Sequence, residues 1–155
     1  MELWELTARE RIRDSLARYN WSGDAFRLDE LALSFTTDGE LQIRGGESAR
    51  GRDGIARLLG GTPAGDDEER RAALKDAAST SGVARIVRHS LTNVRFLELA
   101  RDGALVASYF TVFTEHGLDH YGRYRDRFEP VGDEWLIRHR YVSVDWRRIP
   151  TDEPS

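Results

Sequence analysis

Arg85-Ile-Val-Arg-His-Ser-Leu-Thr-Asn93 marks the point at which the chain changes character. Before it, apolar residues recur at helical spacing. After it come four long β-type segments, near 84–99, 104–116, 119–129 and 134–147. Turn signals separate them, namely Arg101-Asp-Gly103, Gly117 and Gly132-Asp133. Sequential hairpins through such turns predict a strongly bent antiparallel sheet. In the second segment Ala104, Val106, Ser108, Phe110, Val112 and Thr114 alternate with Leu105, Ala107, Tyr109, Thr111 and Phe113. Both sets are fairly apolar, as expected when one face lines a cavity and the other packs under helices or a neighbouring subunit.

Upstream of that switch the patterns are helical. Thr7-Ala-Arg-Glu10 matches a capping box, and Ala8, Ile12, Leu16 and Tyr19 follow on one face, predicting a helix over about 7–21. Gly23 and Asp24 break it. A second short helix is expected through Leu28, Leu31, Ala32 and Phe35, ending before a turn at Asp38-Gly39. Leu41-Gln-Ile-Arg44 reads as a strand closed by Gly45-Gly46, and 51–60 as a helix with Ile55, Leu58 and Leu59 inward. Residues 66–78 have helix-forming composition with acids in the first turn and a weak apolar face, suited to a lid, an interface or a mobile loop. Helices first and long strands last is the α+β order, with helices packed on one face of a curved sheet. One domain over 1–149 is expected, with a disordered tail at 150–155.

Composition narrows the chemistry. At 155 residues with 39% apolar content, the chain can bury roughly 70% of the surface its unfolded form exposes. A net charge of -4 leaves no basic excess to neutralise phosphates, which disfavours a nucleic-acid partner. The absence of cysteine excludes disulfides, thiolate nucleophiles and cysteine-ligated metals. The N-terminus has acids where a signal peptide needs a cationic flank, and no apolar run reaches the roughly 20 residues that span a bilayer. A soluble, cytoplasmic protein is the expectation. Gly45-Gly46 and Gly60-Gly61 lack a phosphate-cradling context, and no serine nucleophile elbow is present. No cofactor is expected.

Within that frame, strand geometry puts His89 and Asn93 on one face with Leu91 between them, while Tyr19 and Asp24 lie where the first helical stripe gives out. An imidazole, a carboxylate and a phenol meeting in an apolar cavity make a metal-free acid–base site. Each has a plainer alternative: His89 bonded to a backbone carbonyl, Asp24 as a cap or turn residue, Tyr19 as a core aromatic, Asn93 satisfying backbone. Tyr109, Tyr124 and Trp21 are candidate lining residues. His120 opens the strand that carries Tyr124 and is placed to reach the cavity mouth. His116 and His120 flank a β-turn, a spacing that suits solvated histidines better than a metal site. Arg140 reads as a salt bridge to Asp126 or Asp145.

The order of these elements carries a resemblance. Gly51-Arg-Asp-Gly-Ile55, Arg88-His with Asn93, Ser108-Tyr-Phe110, Gly122-Arg-Tyr-Arg-Asp126, and Trp135 with His139-Arg-Tyr-Val142 and Asp145-Trp146 resemble the SnoaL-like branch of the nuclear transport factor 2-like superfamily, over roughly 5–148. Proteins it looks like include scytalone dehydratase, bile-acid dehydratase, lindane dehydrochlorinase and polyketide cyclases. The resemblance implies a cone-shaped α+β barrel enclosing one deep apolar pocket. It also implies an Asp–His dyad at Asp24 and His89, with Tyr19 facing the pocket and Arg140 placed near it as a substrate-binding candidate. The expected activity is a cofactor-independent lyase or isomerase on a small hydrophobic metabolite carrying a carbonyl or hydroxyl. Dehydration comes first; a polyketide cyclase or an epoxide hydrolase are alternatives. The family also holds non-catalytic binders and dioxygenase small subunits, so a binding or assembly role stays open. A homo-oligomer, dimer or trimer, is expected from the apolar outer sheet face.

Overall fold

The computed structural model describes residues 1–60 and 86–149. Helices α1 (Leu3–Asp24) and α2 (Leu28–Ala32) lead into strand β1 (Phe35–Ile43). The short β2 (Ser48–Arg50) and helix α3 (Arg52–Gly60) follow, and then the long strands β3 (Val87–Ala100), β4 (Gly103–Thr114), β5 (Gly117–Val131) and β6 (Glu134–Arg147). They form one six-stranded sheet in the order β2-β1-β6-β5-β4-β3. The four long strands pair antiparallel through sequential hairpins, while β1 joins β6 in parallel. The mixed α+β architecture, with helices packed on a bent sheet, is the one the alternation after residue 83 implies.

Several boundaries differ from the sequence reading. The first helix starts at Leu3, because Glu2 and Glu5 cap each other reciprocally, the Glu2 N–H donating to the Glu5 carboxylate at 2.6 Å. Thr7 lies inside the helix, and its hydroxyl donates to the Leu3 carbonyl. Phe35 belongs to a strand rather than a helix: the chain leaves α2 at Leu33, and the Ser34 carbonyl accepts the Ile137 N–H at 2.8 Å, docking the next residues on β6. Asp38-Gly39 is then no turn but the irregularity where β1 shifts register between Phe35 and Glu40. Strand β2 is too short and too exposed to show periodicity. The helix expected over 66–78 and the tail at 150–155 lie outside the described residues.

Bulges bend the long strands: β3 carries an extra residue between Thr92 and Arg95, and β6 carries one opposite Tyr121–Gly122 and another opposite Arg127–Phe128. A bulge adds a residue on one strand and tightens the local twist, which is how such a sheet curls. The inner face carries Ala104, Val106, Ser108, Phe110 and Val112 of β4, and Tyr124, Asp126 and Phe128 of β5, all buried. Helix α1 closes over it with Ala8, Ile12, Leu16 and Tyr19, and Ser15 donates to the Trp135 carbonyl at 2.5 Å. No helix among the described residues is long and apolar enough to cross a membrane.

Candidate active site

Helix α1 ends at Asp24, and its exit is a Schellman turn: the Arg27 N–H donates to the Ser22 carbonyl and the Phe26 N–H to the Gly23 carbonyl. Glycine is the usual residue at the left-handed position of this motif. Here it is Phe26, at φ 59°. A bulky residue there costs about 1–2 kcal/mol, so Phe26 is held by what surrounds it. Asp24 itself sits in the last helical turn, where the macrodipole opposes a negative charge, and that turn holds no basic residue. Its carboxylate finds its partner across the domain. Asp24 Oδ1 lies 2.6 Å from His89 Nδ1, and Asp24 Oδ2 accepts the His89 backbone N–H at 2.8 Å. Asp24 caps nothing in α2, whose first turn lacks a side-chain cap.

A carboxylate only accepts hydrogen bonds, so the Nδ1 of a neutral His89 carries the ring proton and Nε2 keeps its lone pair. Both side chains are largely but not wholly buried, at 23% exposed for His89 and 13% for Asp24. His89 forms part of the wall of a cavity of about 180 Å³, together with Tyr19, Asn20, Phe26, Leu31 and Leu59. Most of this lining is apolar, which favours direct proton transfer between wall and ligand over exchange with water.

Tyr19, itself part of this wall, has its ring edge-on to Phe35 and Tyr124, at 6.0 and 6.2 Å between centroids. Burial pushes its phenol above the ordinary range, opposed by the nearby positive charge of Arg140. Arg140 is wholly enclosed, its guanidinium 4.2 Å from the Tyr19 ring centroid and 3.9 Å from that of Tyr124. Asp126 binds it through two parallel bonds of 2.8 Å, Nε to Oδ1 and Nη2 to Oδ2. The remaining nitrogen, Nη1, is buried without a hydrogen-bond partner among the described residues. Among the described residues Asp24, Arg140 and Asp126 do not form the Asp-Arg-Asp array that an epoxide hydrolase would need, since Asp24 is committed to His89 while Asp126 grips Arg140.

Three candidates fall elsewhere. Asn93 does not share the His89 face: it sits at the β3 bulge with φ 53°, and the extra residue turns it outward. Tyr109 lies on the outer face of β4, 52% exposed, because the inner face belongs to the even-numbered set from Ala104 to Val112. Trp21 is 76% exposed, since it falls off the buried stripe of α1, and it borders a surface groove with Arg27 and Arg88. His120 and Tyr124 do sit on the inner side of β5, Tyr124 fully buried and stacked on Phe110 at 4.5 Å. Sequence reasoning missed Asn20, which lines the cavity and is 8% exposed. The signal was there: Asn20 falls four residues after Leu16, on the apolar stripe, where a polar residue needs a reason.

The SnoaL-like domain profile matches residues 4–141. The chain belongs to the SnoaL-like domain family. Among curated proteins none matches it in sequence. Solved structures similar to this SnoaL-like protein include an NTF2-like protein with a cystatin-like fold from Novosphingobium aromaticivorans, at 24% identity and TM-score 0.72 over 92% of this chain and 85% of that one. A second protein from that organism, provisionally assigned as a scytalone dehydratase, matches at 22% identity and TM-score 0.68, over 99% and 90%. ActVI-ORFA from Streptomyces coelicolor matches at 16% identity and TM-score 0.66, over 88% and 96%. At these identities the likeness establishes the fold.

Proposed function

We propose that this SnoaL-like protein is a cofactor-independent lyase or isomerase. Its substrate would be a small, largely apolar metabolite bearing a carbonyl or hydroxyl: a polyketide, aromatic, terpenoid or steroid-like molecule. Loss of water is the favoured reaction. The observation that carries the reading is the two-point contact between Asp24 and His89 at the wall of an apolar cavity.

His89 Nε2 removes the proton next to a carbonyl; the electrons of that C–H bond form an enolate. Asp24 holds the imidazolium that results and keeps the ring in the required tautomer. Tyr19 stays protonated because burial raises its pKa, so it serves as a hydrogen-bond donor to the enolate oxygen. Arg140, beneath the Tyr19 ring, adds a fixed positive charge on the same side. Collapse of the enolate forms the new double bond and expels the hydroxyl at the β carbon. That hydroxyl takes the proton His89 carries and leaves as water, restoring the neutral imidazole. Return of the proton to a different carbon instead gives isomerisation, and attack of the enolate on an internal carbonyl gives cyclisation.

The test is a mass-spectrometric screen of small carbonyl- and hydroxyl-bearing metabolites for loss of water. The reading expects at least one substrate whose conversion disappears in the Asp24→Asn variant. Absence of turnover across the set, with tight retention of one of its members, would instead favour a binding subunit.

A further inference from the structure

Away from the acid–base cavity, one groove gathers positive charge on a chain whose net charge is -4. It has a volume of about 630 Å³, lies between α1 and the β3 bulge, and shares no lining residue with the cavity of His89. The bulge shapes it. Thr92 pairs with Tyr109 and Arg95 with Ala107, so Asn93 and Val94 stand opposite Ser108 alone. Ser108 lines the groove at 2% exposure, and its hydroxyl has no hydrogen-bond partner among the described residues. An enclosed hydroxyl left unpaired is costly, which makes a ligand oxygen its natural partner.

Three guanidiniums border the same groove. Arg9 and Arg13, one turn apart on α1, both lie against the Phe96 ring, at 4.4 and 5.3 Å from its centroid. Arg95 joins them from β3. Like charges at such spacing repel. Among the described residues the one carboxylate paired with any of the three is Glu10, 3.2 Å from Arg13 and 77% exposed. Arg9 Nε is buried without a hydrogen-bond partner among the described residues. The Phe96 ring holds two guanidiniums in place but offers their N–H groups no acceptor oxygen. Guanidiniums only donate, and a serine hydroxyl and an asparagine amide can each donate as well. A phosphate group, with several charged oxygens for bidentate contact, satisfies that set better than the two oxygens of a carboxylate.

We propose that the groove between α1 and the β3 bulge is a second binding site, which takes a phosphate group through Arg9, Arg13 and Arg95 with hydrogen bonds from Ser108 and Asn93. The assignment is independent of the reading of His89 as a base. Calorimetric titration with inorganic phosphate and with phenyl phosphate, in about 0.15 M NaCl to screen diffuse attraction, tests it. Wild type is expected to bind phenyl phosphate with a Kd of about 1 mM or below. Arg9→Gln and Arg95→Gln each weaken it about tenfold, the worth of one charge-assisted hydrogen bond. His89→Ala leaves it within about twofold. Equal affinity for the two probes assigns the site to free phosphate. Tighter binding of phenyl phosphate, lost in Tyr109→Ala, assigns it to an aryl ester whose ring lies on the exposed Tyr109 side chain. Ser108→Ala separates binding from structure: it weakens the probe but does not lower the unfolding midpoint in phosphate-free buffer, because the hydroxyl it removes had no partner. Three results would overturn the proposal: no binding of either probe to wild type, affinity unchanged in both arginine variants, or a Ser108→Ala midpoint lowered without phosphate.

Discussion

Both oxygens of Asp24 are committed to one residue, His89, the first to its ring Nδ1 and the second to its backbone N–H. The pair is separated by 65 positions in the chain, and its double attachment fixes the imidazole in position as well as in tautomer. The backbone half of this contact survives if the charge is removed, which allows the two roles of Asp24 to be separated.

Asp24→Asn keeps the size and an acceptor for the His89 N–H but cannot hold a protonated imidazole. Turnover is expected to fall at least about 10²-fold, with the thermal midpoint shifted by no more than a few degrees. Steady-state kinetics beside thermal unfolding of the same preparation checks this.

Removing one partner of the enclosed Asp126–Arg140 pair leaves an uncompensated charge in the core. Asp126→Leu and Arg140→Met are each expected to cost about 3–5 kcal/mol in urea unfolding, and the double variant distinctly less than the sum of the two. Additive losses would mean the pair is not the interacting unit its two 2.8 Å bonds describe.

Burial raises the phenol pKa values of Tyr19 and Tyr124 above the ordinary 10.0 of a tyrosine. The sign follows from linkage. In the unfolded chain these phenols ionise near 10, while in the folded protein they remain protonated, so the stabilisation is complete below that pH and is lost as pH rises past it. Urea unfolding between about pH 8 and about pH 11 should show a steep alkaline decline, shallower in Tyr124→Phe.

Much of the fold was legible because alternation and helical spacing are enforced by burial. The four long strands, the stripe of α1 and the helix carrying Ile55 follow directly from it. What escaped was set by irregularity. A bulge at Thr92–Arg95 reverses the facing of Asn93, and no periodic rule anticipates an inserted residue. Phe35 fits a helical stripe and a strand equally, and only its docking on β6 decides between them. At the site, Asp24 and His89 stood out as chemistry-bearing residues, and Arg140 was already read with Asp126 or Asp145 as its partner; β5–β6 register, which pairs Asp126 with Arg140 directly, decides for Asp126. Asp119 escaped as a partner for His120 because neighbours in a strand ordinarily point apart.

Gly122 offers a test of how tightly the inner sheet is built around these groups. A Cβ there would lie 2.0 Å from the Ser143 carbonyl oxygen and 2.9 Å from Phe110 Cζ. Because the nearest obstacle is backbone, Gly122→Ala is expected to lose about 3 kcal/mol or more, read from urea unfolding. It should also disturb the Phe110 ring, which the imidazoles of His89 and His120 border.

The most direct measurement is turnover by His89→Ala on a substrate that the wild type converts, with folding verified on the same sample. The account predicts a fall of about 10²–10⁴-fold with an unchanged unfolding midpoint, as expected when a proton-transfer group is removed from an intact site. A folded variant that kept near-wild-type turnover would contradict it.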